Sequence, residues 1–104
     1  MSDIDISRLR QSILEDGAED YTGLYEIIWS LNAHYPAIDR ATKLAAARPI
    51  VLELLQRGEI LLFTNRWASN NYDPVPADKA SELAASSKSW DAPTDDPYVC
   101  YATP

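Results

Sequence analysis

Cysteine and histidine each occur once in this chain of 104 residues, phenylalanine and methionine once each, and glycine three times. A lone thiol, Cys100, cannot close an intramolecular disulfide, so a reducing cytoplasm is compatible with the fold. One Cys and one His far apart cannot form a zinc ligand set. Three glycines are too few for a dinucleotide fingerprint, and neither a Gly-rich phosphate loop nor G-x-S-x-G occurs. The acids Asp91, Asp95 and Asp96 lack the alternating spacing and closing Glu of a calcium loop. No cofactor and no metal are therefore expected. No apolar run approaches membrane-spanning length. The opening Met1-Ser2-Asp3-Ile4-Asp5 is acidic where a secretory signal starts basic. The expectation is a cytoplasmic protein with no membrane partner.

Positive charge is also scarce. Nine Lys and Arg face sixteen Asp and Glu, giving a net charge of −7 and a pI near 4.4. Such a field repels nucleic acid and anionic membranes and attracts basic partners; its plainer use is solubility. What the chain does have is 46% hydrophobic residues, three Trp and six Tyr. That is enough for one modest core, so residues 1–104 read as a single domain.

Ile6, Leu9, Ile13 and Leu14 repeat at helical spacing and predict a first helix over 5–16, capped by Asp5 and closed by Gly17. Glu15, Asp16, Glu19 and Asp20 form an acidic connector. Leu24, Ile27, Ile28 and Leu31 predict a second helix from an N-cap at Thr22 to about Ala33, with Tyr21, Tyr25 and Trp29 on an adjacent stripe and Trp29 in the core. Tyr35 precedes Pro36 and is biased away from helical dihedrals. Leu44, Ala47, Val51, Leu54 and Leu55 predict a third helix over 39–57, capped by Asp39 and stopped at Gly58. Pro49 either kinks this helix, the preferred reading, or splits it in two.

Residues 59–67 predict a strand whose Ile60-Leu61-Leu62-Phe63 core suggests burial on both faces. A loop over 68–76, a short helix over 77–85 with Ala80, Leu83 and Ala84 inward, and a polar Pro-rich segment over 86–97 follow. Residues 98–103 predict a second strand, paired antiparallel with the first because an isolated strand is not stable. Val99 and Tyr101 share one of its faces.

The turn LLQRGEILLF, Leu54 to Phe63, resembles the end of a third helix running through glycine into the first wing strand of a winged-helix domain. The stretch DYTGLYEIIWSLNAHYP, Asp20 to Pro36, resembles the second helix of small uncharacterised bacterial proteins with winged-helix-like folds. The likeness covers roughly residues 20–67. It implies an α+β fold: a three-helix winged-helix-like core, a two-stranded antiparallel sheet, and a helical insertion where a simple wing has a tight hairpin.

For chemistry, His34 stands at a helix end, where it can cap carbonyls. No nucleophile or acid is set against it by spacing, so an enzyme is not expected. Cys100 reads as a small buried hydrophobe. Residues 38–67 hold three acids and five bases, whereas residues 1–20 and 68–104 each hold six acids and two bases. Two functions follow. The leading one is a non-catalytic, immunity- or antitoxin-like domain that binds a basic protein through Glu15, Asp16, Glu19 and Asp20, or through Trp90, Asp91, Asp95 and Asp96. The alternative is a DNA-binding regulator, using Arg40, Thr42, Lys43, Gln56 and Arg57 on the third helix as a dimer that exposed Tyr and Trp would hold together. Trp67, Tyr72 and Trp90 either pack the insertion onto the domain or anchor a protein interface.

Overall fold

The computed structural model describes residues 4–66, 71–92 and 97–104. Its elements run α1 (Ile6–Glu19), β1 (Thr22–Gly23), α2 (Leu24–His34), α3 (Arg40–Gln56), β2 (Leu61–Asn65), β3 (Asp73–Pro74), α4 (Ala77–Ala85), a 3₁₀ turn (Ser87–Trp90) and β4 (Tyr98–Ala102). The fold is α+β, with helices against one face of an antiparallel sheet ordered β1-β4-β2-β3. The expected β2–β4 pairing is present, with Leu62 opposite Tyr101 and Phe63 opposite Cys100. The sheet has four strands rather than two. Thr22–Gly23 joins the β4 edge and Asp73–Pro74 the β2 edge. Two-residue strands leave no period-two signal, and a proline survives at Asp73–Pro74 because it lies on an edge.

Asp5 caps α1 as expected, its carboxylate accepting the Arg8 N–H at 3.1 Å. Gly17 does not end the helix. It lies inside α1 beneath the Tyr101 ring, where a Cβ would come within 2.8 Å of Cε2. Ile6, assigned to the core stripe, is 42% exposed, while Leu9 and Ile13 are buried. The N-cap of α2 is Gly23 and not Thr22: the Glu26 carboxylate accepts the Gly23 N–H at 2.6 Å. The Thr22 hydroxyl instead donates to the Asp16 and Asp20 carbonyls at the end of α1. All four stripe residues of α2 are buried, but Trp29 is 55% exposed.

α3 is one helix through Pro49. The proline cannot donate to the Ala45 carbonyl one turn back. Both residues are exposed, so the carbonyl left without its helical donor is on the solvent side of the helix. Asp39 caps the start through the Thr42 N–H at 2.9 Å. Gly58, at φ +72°, closes the end: its N–H bonds the Leu55 carbonyl and the Glu59 N–H bonds the Leu54 carbonyl. A bidentate pair from Arg10 to Glu53, at 3.0 and 2.6 Å, ties α1 to α3.

Trp90 and Tyr101 are the largest fully buried side chains. The Trp90 indole N–H donates to the Ala84 carbonyl at 2.8 Å and the Ser89 hydroxyl to the Leu83 carbonyl at 2.6 Å. Both satisfy the C-terminus of α4, which has no partner within its own helix. Trp90 thus folds the insertion onto the domain. β2 is not buried on both faces: Leu62 is buried, but Leu61 is 47% exposed. Among the described residues, no helix is long and apolar enough to cross a membrane.

Candidate functional site

Side chains alternate across a strand. Leu62, Val99 and Tyr101 face the helical core, which leaves Phe63, Tyr98 and Cys100 on the opposite face. Aromatic rings roof that second face. Tyr25 lies directly over Gly23, where any Cβ would overlap its ring. It meets Tyr98 edge-on at 5.8 Å and Trp29 edge-on at 4.8 Å. Tyr21 meets Phe63 edge-on at 5.0 Å and stacks on Tyr72 with centroids 3.8 Å apart and planes 6° from parallel. Tyr21 precedes edge strand β1 and Tyr72 precedes edge strand β3 on the far side of the sheet. The two rings reach over the sheet from opposite edges and meet above Phe63.

Beneath this roof the polar groups are held uncharged. Burial, then the Glu26 carboxylate, pushes the Tyr25 phenol up to about 12. The same two causes push the Cys100 thiol up to about 12, and Cys100 Sγ sits 3.6 Å from the Phe63 carbonyl. Such a thiol is a poor nucleophile at neutral pH, in keeping with its reading as a small hydrophobe.

The roof opens at one end into a shallow groove of ≈ 650 Å³ lined by Asp20, Tyr21, Asn71, Tyr72 and Asp73. Both carboxylates are exposed, and Tyr21 is 40% exposed. No cation is among the described lining residues. Two acid–tyrosine dipeptides, Asp20-Tyr21 and Tyr72-Asp73, thus converge although the two tyrosines are 51 positions apart in the chain.

Of the described acids expected at an interface, only Asp20 lines this groove. Glu15, Asp16 and Glu19 are exposed along α1, with Glu15 accepting from Gln11 at 2.9 Å. Trp90 is fully buried and offers nothing to a partner. Asp91 is on the surface but pairs with Arg40 at 2.7 Å. Asp95, Asp96 and Trp67 lie outside the described residues.

The proposed DNA-contacting residues are also divided. Lys43 is buried, its ammonium donating to Asn32 Oδ1 at 2.6 Å. Its long stem packs between α2 and α3 while only the tip reaches polar surroundings. Arg40 is engaged by Asp91. Thr42 is half-buried, Gln56 is exposed, and Arg57 lies 3.6 Å from Glu53 and 3.7 Å from Glu59. Spacing marks these residues as polar but does not show which are covered.

His34 lines a cleft of ≈ 360 Å³ between α1 and α2, with Asp5, Ser12, Glu15, Ser30 and Tyr35. Its Nδ1 lies 2.9 Å from the Ser30 carbonyl, which can only accept, so Nδ1 carries a proton and caps its own helix. Asp5 and Glu15 are turned to α1, onto the Arg8 N–H and Gln11. Among the described residues, no group of three or more His, Cys, Asp or Glu side chains is placed to hold a metal ion.

Fold and surface together define a small α+β domain with an aromatic-roofed, acid-flanked groove. Compared with family models, curated proteins and solved structures, the chain matches none.

Proposed function

We propose that this chain is a non-catalytic protein-binding domain, immunity- or antitoxin-like, that works in the cytoplasm and takes a basic protein partner. The observation that carries the reading is the groove in which Asp20 and Asp73 flank the stacked rings of Tyr21 and Tyr72. Tyrosine and tryptophan concentrate binding energy at interfaces, because rigid rings bury area at little entropic cost. The carboxylates supply charge complementarity, and the net charge of −7 adds long-range attraction. Trp29, at 55% exposure and packed on Tyr25, extends the same aromatic surface.

The test is binding of an oligolysine peptide, compared between the wild type and the double variant Asp20→Asn, Asp73→Asn. Salt-sensitive binding that weakens about tenfold in the variant is expected, the removal of two partly screened charge pairs. Equal binding by both proteins would place the contact elsewhere and end this assignment.

The order of connections favours a winged-helix-like core. With β3 and α4 set aside, helix, strand, two helices and two further strands follow in sequence, with the first strand beside the last. In this alignment β3, α4 and the 3₁₀ turn are inserted into the wing. That likeness supports the second reading, duplex DNA at α3, for which Arg40, Gln56 and Arg57 are the exposed candidates. Binding to duplex DNA at about 50 mM salt that falls on Arg57→Ala would establish it over the first.

A further inference from the structure

We infer that the groove is built for arginine in particular, taking the guanidinium of an arginine side chain on the partner against the Tyr21–Tyr72 stack. The inference rests on the basic-partner reading above and narrows it.

Aromatic pairs prefer offset or edge-to-face arrangements, because the negative faces of two rings repel when superposed. Tyr21 and Tyr72 stack with parallel planes, 6° apart, and centroids at 3.8 Å, closer than the roughly 4.5–7 Å usual for aromatic pairs. Such a stack holds the two rings parallel, and a cation laid on its groove side is attracted by the ring face it meets. The two carboxylates stand at the sides of the same groove, so a cation on the ring would lie within their field. Asp20 keeps one oxygen on the Tyr21 N–H at 2.7 Å, which fixes its position beside the ring.

Arginine suits this site better than lysine. Its guanidinium is planar and weakly hydrated, so it can lie flat on a tyrosine while its edge N–H groups reach carboxylates. An ammonium is compact and strongly hydrated and gains little from the ring. A second copy of this chain is a poor occupant, because two molecules at −7 repel each other.

The experiment uses two peptides, Gly-spaced oligoarginine and Gly-spaced oligolysine of equal length and charge, titrated into the full chain by calorimetry. Ring resonances of Tyr21 and Tyr72 are followed by NMR. The arginine peptide is expected to bind about fivefold tighter, the discrimination of one exposed cation–π contact. Its addition should shift both rings. In Tyr72→Leu the arginine peptide should fall to the affinity of the lysine peptide, and Tyr72→Phe, which keeps the ring, should restore the preference. Equal binding of the two peptides by the wild type overturns the arginine assignment and leaves a basic partner standing. Binding of neither peptide removes both. A preference that survives Tyr72→Leu arises elsewhere and overturns the assignment, as does a free protein that sediments as a dimer and becomes monomeric on Tyr72→Leu.

Discussion

Gly17 shows how one missing side chain sets a packing distance. The ring it faces belongs to Tyr101, which is fully buried and whose hydroxyl donates to the Ile13 carbonyl at 2.9 Å, one turn earlier in the same helix. The ring is therefore pinned at its far end and cannot retreat from a new methyl group. Alanine improves helix propensity over glycine by roughly 1 kcal/mol, but forcing a methyl into a filled core costs about 1–3 kcal/mol. Packing is expected to win, so Gly17→Ala should lower stability by about 1 kcal/mol in urea titration, with an unchanged slope. A raised midpoint would mean that the Tyr101 ring has room to move. The sequence could not reveal this role. A glycine after a run of helical spacing is read as a stop, and only the strand arriving from residues 98–102 turns it into a contact.

At the scale of elements, the N-cap of α3 carries a pH dependence whose sign follows from its geometry. The Asp39 carboxylate accepts from Thr42, and this hydrogen bonding, with the charge of Lys43, holds its pKa below the ordinary aspartate value. A lowered pKa in the folded state means stability that is present above the unfolded pKa and is lost as pH falls through the folded one. Asp39→Asn should keep the cap, since asparagine caps as well as aspartate, and should flatten this part of the acid limb in urea midpoints between about pH 5 and 2. An acid limb identical in both proteins would assign that loss to other carboxylates.

The helices were legible in the sequence because their signals are local. The apolar stripes, Asp39, Gly58 and the span 77–85 all lie within a few turns of what they determine. β1 and β3 were not legible, because a two-residue strand is defined only by the partner it meets. The groove was hidden for the same reason: Asp20-Tyr21 and Tyr72-Asp73 meet only once the sheet has formed. Lys43 and Trp29 were misplaced in opposite directions. The depth of a helix's buried face depends on the neighbours packed against it, and periodicity does not encode that depth.

Across the whole molecule, the sheet is lined on both faces by groups that are neutral when folded. Tyr25 and Cys100 are pushed up to about 12, and Tyr98 and Tyr101 are also raised, in each case first by burial. In the unfolded chain the same groups ionise near their ordinary values, about 8.5 for the thiol and 10 for the phenols. The folded state then holds more protons, so its stability is complete below those values and falls as pH rises through them towards about 12. A chain at −7 also repels itself more strongly in alkali, and the two causes need separating. Salt separates them: at about 1 M the screening length is near 3 Å, which suppresses repulsion across the surface but not the burial of a phenol. Urea midpoints measured from about pH 8 to 12 should therefore keep falling at high salt, and the fall should become shallower in the double variant Tyr25→Phe, Cys100→Ala. If the decline disappears in salt, charge repulsion alone governs the alkaline limit. If it persists unchanged in the double variant, the groups responsible are the remaining raised phenols, Tyr98 on the outer face and Tyr101 buried on the inner one.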